Sequence, residues 1–492
     1  MSFISISFLA FFVIAVAGFY LCPVRFRWAF LLVLSCYFYM AFVPKYILIL
    51  FALIGIDYVM AHAIERSRGK SRHLYLVISI VSNVGILFVF KYFNFFNENI
   101  SLLAHMLGWN YSIEALRLLL PLGLSFHTFQ SLSYVVEVYR GKFKAERHLG
   151  VYALYVMFFP QLVAGPIERP QHLLTQLKNL AIPYSSRNVY EGVRLLTWGF
   201  FKKLVIADQV GQSVDFVWNN YAHLPGPSIA YAMVLFSFQL YADFSGYSDI
   251  ARGSAKALGI DVVRNFEQPY FSGSIAEFWR RWHISLSSWF RDYFFTPLVY
   301  QWRRLPFGLY AAIICTFLVT GLWHGAAWTF VIMGFLYGLY IVVGLMTRSL
   351  RARFVEVVGL AHTPKLHKLL QIIFTFSLVT FSWVFFRAPT LTDATAFLSR
   401  LFTGWNMPMS QYADAYFQHP FLWVGYSRSA FFISALSIAG MLTVEYIQRT
   451  KPFGVLFDRQ SVFAQSLAYS VLVLAIFLFG VISTVPFIYF QF

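Results

Sequence analysis

The chain is 492 residues long, 59% hydrophobic and only 12% charged, whereas ordinary soluble domains are roughly 45–50% apolar and about 25% charged. That composition excludes a soluble globular protein and places most of the chain in lipid. The formal net charge of +17 reads as topology and not as a nucleic-acid footprint, because the lysines and arginines stand in short clusters between apolar runs, as cytoplasmic loops do.

The first apolar run, Met1 to Tyr20, lacks the basic n-region of a cleaved signal peptide and is expected to stay as a span. Runs near the roughly 20 residues that cross a hydrocarbon core recur along the chain. They lie at 5–21, 28–43, 47–63, 74–92, 115–137, 190–216, 229–247, 308–325, 327–347, 368–386, 430–448 and 463–482, about 12 in all. With the amino terminus outside, the basic loops at Arg25 and Arg27, Arg66 to Arg72, Arg140 to Arg147, Arg348 to Arg353 and Arg449 to Lys451 fall inside. An even count returns the carboxyl terminus to the outside. Nothing marks off a soluble domain, so residues 1–492 read as one integral membrane domain.

Val151 to Ile167 is apolar but interrupted by Pro160, Gly165 and Pro166 and flanked by basic residues, which suits a re-entrant hairpin better than a crossing. Ala388 to Ser429, with Pro389, Pro408 and Pro420, is the longest expected external loop. Between them, residues 275–294 carry Ile275, Phe278, Trp279, Trp282, Leu286, Trp289, Phe290 and Tyr293 at helical spacing, with Arg280, Arg281, Ser288 and Arg291 opposite. This pattern predicts one amphipathic helix at the cytoplasmic interface, with His283 on the border of the apolar stripe. Cys22, Cys36 and Cys315 have neither metal-ligand spacing nor a disulfide framework and are expected to be packed thiols.

His324 stands in Thr320-Gly321-Leu322-Trp323-His324-Gly325-Ala326-Ala327-Trp328, between two apolar runs. A histidine there either packs against a backbone carbonyl or is used, and intramembrane ionisable groups are usually functional. Gly325 and Ala326 are expected to leave room beside the ring. An imidazole, with an ordinary pKa near about 6.5, takes a proton from an attacking hydroxyl at neutral pH. No Gly-x-Ser-x-Gly elbow is present, so direct transfer fits better than a serine acyl-enzyme. A second polar constellation runs from Tyr241 through Asp243, Ser245, Tyr247 and Ser248 to Asp249; it reads either as part of a site or as a helix terminus with surface caps. Walker-type, dinucleotide and His-Glu-x-x-His signatures are missing, so no metal and no tightly bound cofactor is expected.

Several motifs stand in order along the chain: Lys91-Tyr92-Phe93-Asn94-Phe95-Phe96, Pro121-Leu122-Gly123-Leu124-Ser125-Phe126-His127-Thr128-Phe129-Gln130, Phe159-Pro160-Gln161-Leu162-Val163-Ala164-Gly165-Pro166-Ile167 and Asp243-Phe244-Ser245-Gly246-Tyr247-Ser248-Asp249. To these add Phe278-Trp279-Arg280-Arg281-Trp282-His283, Trp323-His324-Gly325 and Phe487-Ile488-Tyr489-Phe490-Gln491-Phe492. Together they resemble the membrane-bound O-acyltransferase family, specifically its bacterial alginate O-acetyltransferase-like branch. The resemblance implies an all-α fold, a ring of about 12 transmembrane helices with re-entrant and amphipathic helices around a central catalytic cavity. It also implies that His324 is the essential intramembrane histidine and His283 the second histidine of the site.

The implied reaction moves an acyl group, expected to be acetyl, from a cytoplasmic thioester such as acetyl-CoA to a hydroxyl outside the membrane. His324 would act as base, and Arg280, Arg281 and Arg291 would meet either the phosphates of coenzyme A or lipid headgroups. The implied setting is the bacterial inner membrane, with both termini periplasmic, and with a periplasmic acyltransferase partner and a polysaccharide acceptor. Where alginate-type members continue into Pro-Leu-Gly-Gly, this chain has Thr296-Pro297-Leu298-Val299-Tyr300, which leaves other exopolysaccharides, peptidoglycan and teichoic acid open as acceptors. D-alanyl transfer to teichoic acid, and a transporter or flippase of an acyl or sugar intermediate, are the alternatives.

Overall fold

The structure is a computed structural model that describes residues 3–41, 43–118, 121, 123–162, 165–406, 408, 410, 424–449, 457–481 and 487–488. Among these residues there are helices and connecting turns and no strand. Six helices among the described residues are long and apolar enough to cross a membrane: Pro44–Arg66, Gly69–Met106, Trp328–Met346, Pro364–Arg387, Arg428–Gln448 and Val462–Phe479. Ile6–Leu21 and Gly308–His324 are apolar but shorter. An all-helical, multi-pass membrane protein follows, since in lipid every backbone polar group must be satisfied within the spanning segment.

The chain divides into two compact units, Met1–Leu196 with Ser248–Arg264, and Thr197–Tyr247 with Asn265–Phe492. The first contains α1 (Ile6–Leu21), α2 (Arg27–Met40), α3 (Ile47–Arg66), α4 (Gly69–Leu87), α5 (Phe93–Met106), α6 (Leu124–Tyr139), α7 (Leu149–Met157) and α8 (Thr175–Leu177). Ser5 caps α1 by accepting the Phe8 N–H. Asp57 on α3, fully buried, accepts from Ser79 at 2.6 Å and Asn83 at 2.9 Å on α4 and so fixes the register of those helices. The segment Ser248–Arg264 is pinned to its unit by Gln176, which exchanges two 2.9 Å bonds with the Asp261 backbone.

Two expectations change here. The span foreseen at 115–137 begins later, at Leu124, because Pro121 cannot continue a helix and Gly123 takes a left-handed turn at φ 73°. Leu119, Leu120 and Leu122 lie outside the described residues. Among the described residues of 151–167 the helix is the end of α7, which is nine residues long from Leu149 to Met157, about 14 Å at 1.5 Å per residue, too short to cross the bilayer. It is buried from Val151 to Leu162, in keeping with the reading of its prolines; Val163 and Ala164 are outside the described residues.

The second unit begins at Thr197, in the last residues of α9 (Ser186–Phe200), and continues through a π-helical turn, Phe201–Ala207, into α10 (Asp208–Asn220). Then come the part of α11 (Gly226–Ala257) up to Tyr247, α12 (Ile275–Arg281), α13 (Ile284–Phe290), α14 (Thr296–Trp302), α15 (Gly308–His324), α16 (Trp328–Met346), α17 (Arg348–Val357), α18 (Pro364–Arg387) and α19 (Leu391–Arg400). Helices α20 (Arg428–Gln448) and α21 (Val462–Phe479) close it. Its core gathers the fully buried rings of Trp282, Tyr337 and Trp383 around Phe278. Helix α21 is apolar and none of its hydrophobic window is covered, as a lipid-facing helix requires. Of the loop expected from Ala388 to Ser429, the first residues form α19, while Pro420 and its neighbours lie outside the described residues, as do Lys451 and Tyr489–Phe492.

Candidate active site

His324 is the last residue of α15, where the helix stops because Gly325 is extended at φ −161°, ψ 149°. The helix is held close against α16 by glycines. A Cβ on Gly321 would sit 2.2 Å from the Phe330 carbonyl oxygen, and one on Gly334 would sit 2.3 Å from that of Phe317. Contact of two backbones at this distance excludes every larger residue and fixes the end of α15. The space that Gly325 leaves by lacking a side chain is taken by the Phe330 ring, 2.1 Å from where a Cβ would stand.

His283 lies at a break in what the apolar periodicity describes as a single helix. Helix α12 ends at Arg281, Trp282 is extended, and His283 adopts φ 44°, ψ 56°, a left-handed conformation uncommon outside glycine. The break is stitched from residues 265–267. The Asn265 carbonyl accepts Ile284 N–H at 2.9 Å, the Asn265 side-chain oxygen accepts Ser285 Oγ–H at 2.7 Å, and Glu267 N–H donates to Arg281 O at 3.0 Å. Asn265 thus serves the start of α13 as a cap from elsewhere in the chain. The continuous amphipathic helix expected over 275–294 is therefore two short helices and a π-helical turn, Arg291–Phe295, and His283 is at their junction, not on the edge of a stripe.

The structure brings the two histidines together. Both are buried, His283 at 0% and His324 at 4% exposure, and one indole ring meets both of them. Trp323 is a neighbour of both, its ring 5.9 Å from His283 and 5.0 Å from His324. Phe244 of α11 meets His283 edge to face at 4.6 Å, and Phe386 of α18 stands 5.8 Å from His324. Aromatic walls around two imidazoles make a dry setting in which a proton leaving a hydroxyl can pass to a ring nitrogen.

The arginines are placed differently. Arg281 pairs with Glu277 at 3.0 Å and Arg291 with Asp292 at 2.8 Å, while Arg280 is exposed. These charges sit on the outer faces of α12 and of the turn after α13, within reach of anions outside the protein.

The constellation at Tyr241–Asp249 is not a helix terminus with surface caps. It lies inside the 32-residue helix α11, and Tyr241, Asp243, Ser245 and Tyr247 are all buried. Asp243 pairs at 2.7 Å with Lys203, which also pairs with Asp208 at 2.7 Å; Lys202 beside it donates to Ser245 Oγ at 3.0 Å. The π-helical turn at Phe201–Ala207 turns both lysines inward, a common use of such turns. This cluster was not foreseen. The available signal was two adjacent lysines inside the apolar run Phe200-Phe201-Lys202-Lys203-Leu204-Val205-Ile206, where charges are costly unless used.

Comparison with known proteins adds an independent line. The sequence model of the membrane-bound O-acyltransferase family matches residues 147–388, a stretch that includes both histidines. A protein named probable alginate O-acetylase AlgI from Azotobacter vinelandii is 35% identical over 80% of this chain and 76% of its own length. A peptidoglycan O-acetyltransferase of Helicobacter pylori is 34% identical over 74% of this chain and 71% of its own. A teichoic acid D-alanyltransferase of Streptococcus thermophilus is 30% identical over 54% of this chain and 68% of its own.

Proposed function

The chain belongs to the membrane-bound O-acyltransferase family and is an O-acyltransferase, and from that premise we propose that it acetylates a hydroxyl on the outer side of the bacterial inner membrane, with His324 as base. The observation that carries this reading is the buried pair of His324 and His283 at two helix ends in one unit. The donor is a cytoplasmic acyl thioester, acetyl-CoA. The acceptor is a hydroxyl of an extracytoplasmic polysaccharide, or of a periplasmic partner that completes the transfer. Similarity to relatives named for alginate and peptidoglycan acetylation supports an acceptor of that class.

In the reaction, a ring nitrogen of His324 takes the proton of the acceptor hydroxyl as its oxygen attacks the thioester carbonyl. The tetrahedral intermediate collapses with cleavage of the carbon–sulfur bond. The thiolate leaves and takes up the proton from the imidazolium, so the products are an ester and free coenzyme A. His283 orients one of the two substrates against His324. Arg280 and Arg291, exposed beside the site helices, meet phosphate groups of coenzyme A or of lipid headgroups; charge reversal that raises the KM for acetyl-CoA without loss of protein identifies the former.

The architecture that goes with this mechanism is a ring of about 12 spans around a thinned centre, with both termini periplasmic. It would give donor and acceptor opposite entries to the histidine pair. The direct test is the ester-linked acetyl content of cell-envelope polysaccharide in a host expressing the wild-type chain or His324→Ala. Acetate released by mild base from the wild type alone supports the proposal. Equal acetate from both variants at equal membrane abundance contradicts it.

A further inference from the structure

We propose that the Phe487–Ile488 segment is a positioning element for His283, keyed into α11 through Asp243, Phe244 and Tyr247. The proposal rests on the reading of His283 as a residue of the active site. The contacts form an unbroken series within one unit. The N–H of Ile488 donates to Asp243 Oδ2 at 2.8 Å, while the other carboxylate oxygen faces Lys203 at 2.7 Å. Phe487, fully buried, lies on Tyr247 with ring centres 4.5 Å apart and against Phe244 at 5.4 Å. Phe244 also meets Phe266 at 5.0 Å and the imidazole of His283, 4.6 Å away and nearly perpendicular at 86°.

Three features make this more than core packing. His283 is held in a left-handed backbone conformation, which persists only where its surroundings over-determine it. Asn265 fixes its backbone from one side, and Phe244 meets its ring. Phe244 is fixed in turn by Phe487, since a ring that loses one of its walls is free to change rotamer. Finally, the segment is anchored by a backbone N–H to a carboxylate that belongs to a buried ion cluster of Lys203, Asp208 and Asp243. Buried ion pairs are weak contributors to stability compared with apolar packing, but they hold definite geometry. Asp243, Phe244 and Tyr247 are adjacent on α11, so a single helix face carries the anchor, the transmitted ring and the docking surface.

The test uses the full chain in nanodiscs, with Phe487→Ala, Phe487→Leu and His283→Ala, reading free-thiol release from acetyl-CoA and the melting temperature. Phe487→Ala is expected to lower kcat about 10- to 100-fold, the scale of a small misplacement of a reacting group. Its KM for acetyl-CoA stays within about twofold, the rate is lost per folded protein even though emptying a buried site also lowers the melting temperature, and Phe487→Leu, which refills most of the volume, recovers most of the rate. The proposal is overturned if Phe487→Ala turns over at the wild-type rate while His283→Ala does not. It is equally overturned if the loss in Phe487→Ala tracks loss of folded protein and Phe487→Leu does not restore it. Wild-type turnover by His283→Ala would sink the reading of His283 itself, and this proposal with it.

Discussion

Two buried polar centres lie in the second unit and are built on different terms. At Lys203 an ammonium stands between the carboxylates of Asp208 and Asp243, each 2.7 Å away, so charge is answered by charge. At His324 and His283 the neighbours are ring faces and helix ends, Trp323, Phe244 and Phe386 among them. The first arrangement fixes positions. The second holds two imidazoles that can be neutral in a dry setting and so can exchange a proton with a substrate. On the proposed reading, Lys203, Asp208 and Asp243 hold the structure and the two imidazoles act in it.

Breaking the charged centre gives the largest expected effect on folding. Lys203→Met leaves Asp208 and Asp243 buried without their cation and is expected to cost about 3–5 kcal/mol, the usual penalty for removing one partner of a buried pair. Thermal unfolding in detergent measures it, and an unchanged melting temperature would mean that water reaches the cluster.

The aromatic centre is sharpened by a change at the helix contact behind it. Gly334→Ala places a Cβ 2.3 Å from the Phe317 carbonyl oxygen and pushes α16 from α15, at a cost of about 1–3 kcal/mol. Because His324 ends α15, kcat is expected to fall more than folded yield. Gly344→Ala on α16, where a Cβ meets nothing within 4 Å, is the matched control and should be silent.

The smallest effect is expected at the edge of the site. Burial works to raise the Glu277 carboxyl, but the Gly273 N–H at 2.8 Å, Lys368 at 3.3 Å and Arg281 at 3.0 Å outweigh it and hold the group below the ordinary glutamate range. A depressed folded pKa means that its contribution is present above the ordinary value of about 4.3 and is lost as the pH falls through the lower folded value. Glu277→Gln is expected to cost about 1 kcal/mol or less at pH 7, and the gap between wild type and variant should close in acid.

What the sequence made legible follows from locality. The two histidines could be named because each stands in a local motif, Trp282-His283 and Trp323-His324-Gly325, whose setting in apolar runs is visible residue by residue. The short α7 was legible because Pro160 interrupts its run, whereas the late start of α6 was missed although Pro121 and Gly123 are equally local. The break at His283 was hidden for another reason. Trp279, Trp282 and Leu286 keep helical spacing across it, and the bonds that impose it come from Asn265. The Lys203–Asp243 pair joins residues 40 positions apart, and no periodicity connects them. Asp243 stood out in the sequence, but without its partner it could equally be a cap.

The most direct test of the account is thiol release from acetyl-CoA by the purified chain in nanodiscs, compared with His324→Ala at equal folded protein and in the presence of a polysaccharide acceptor. The account predicts turnover by the wild type and a fall of about 10²- to 10⁴-fold in the variant, the range for loss of a general base, with an unchanged melting temperature. Equal thiol release and equal acetyl ester formation by the two proteins would contradict it and remove His324 from the chemistry.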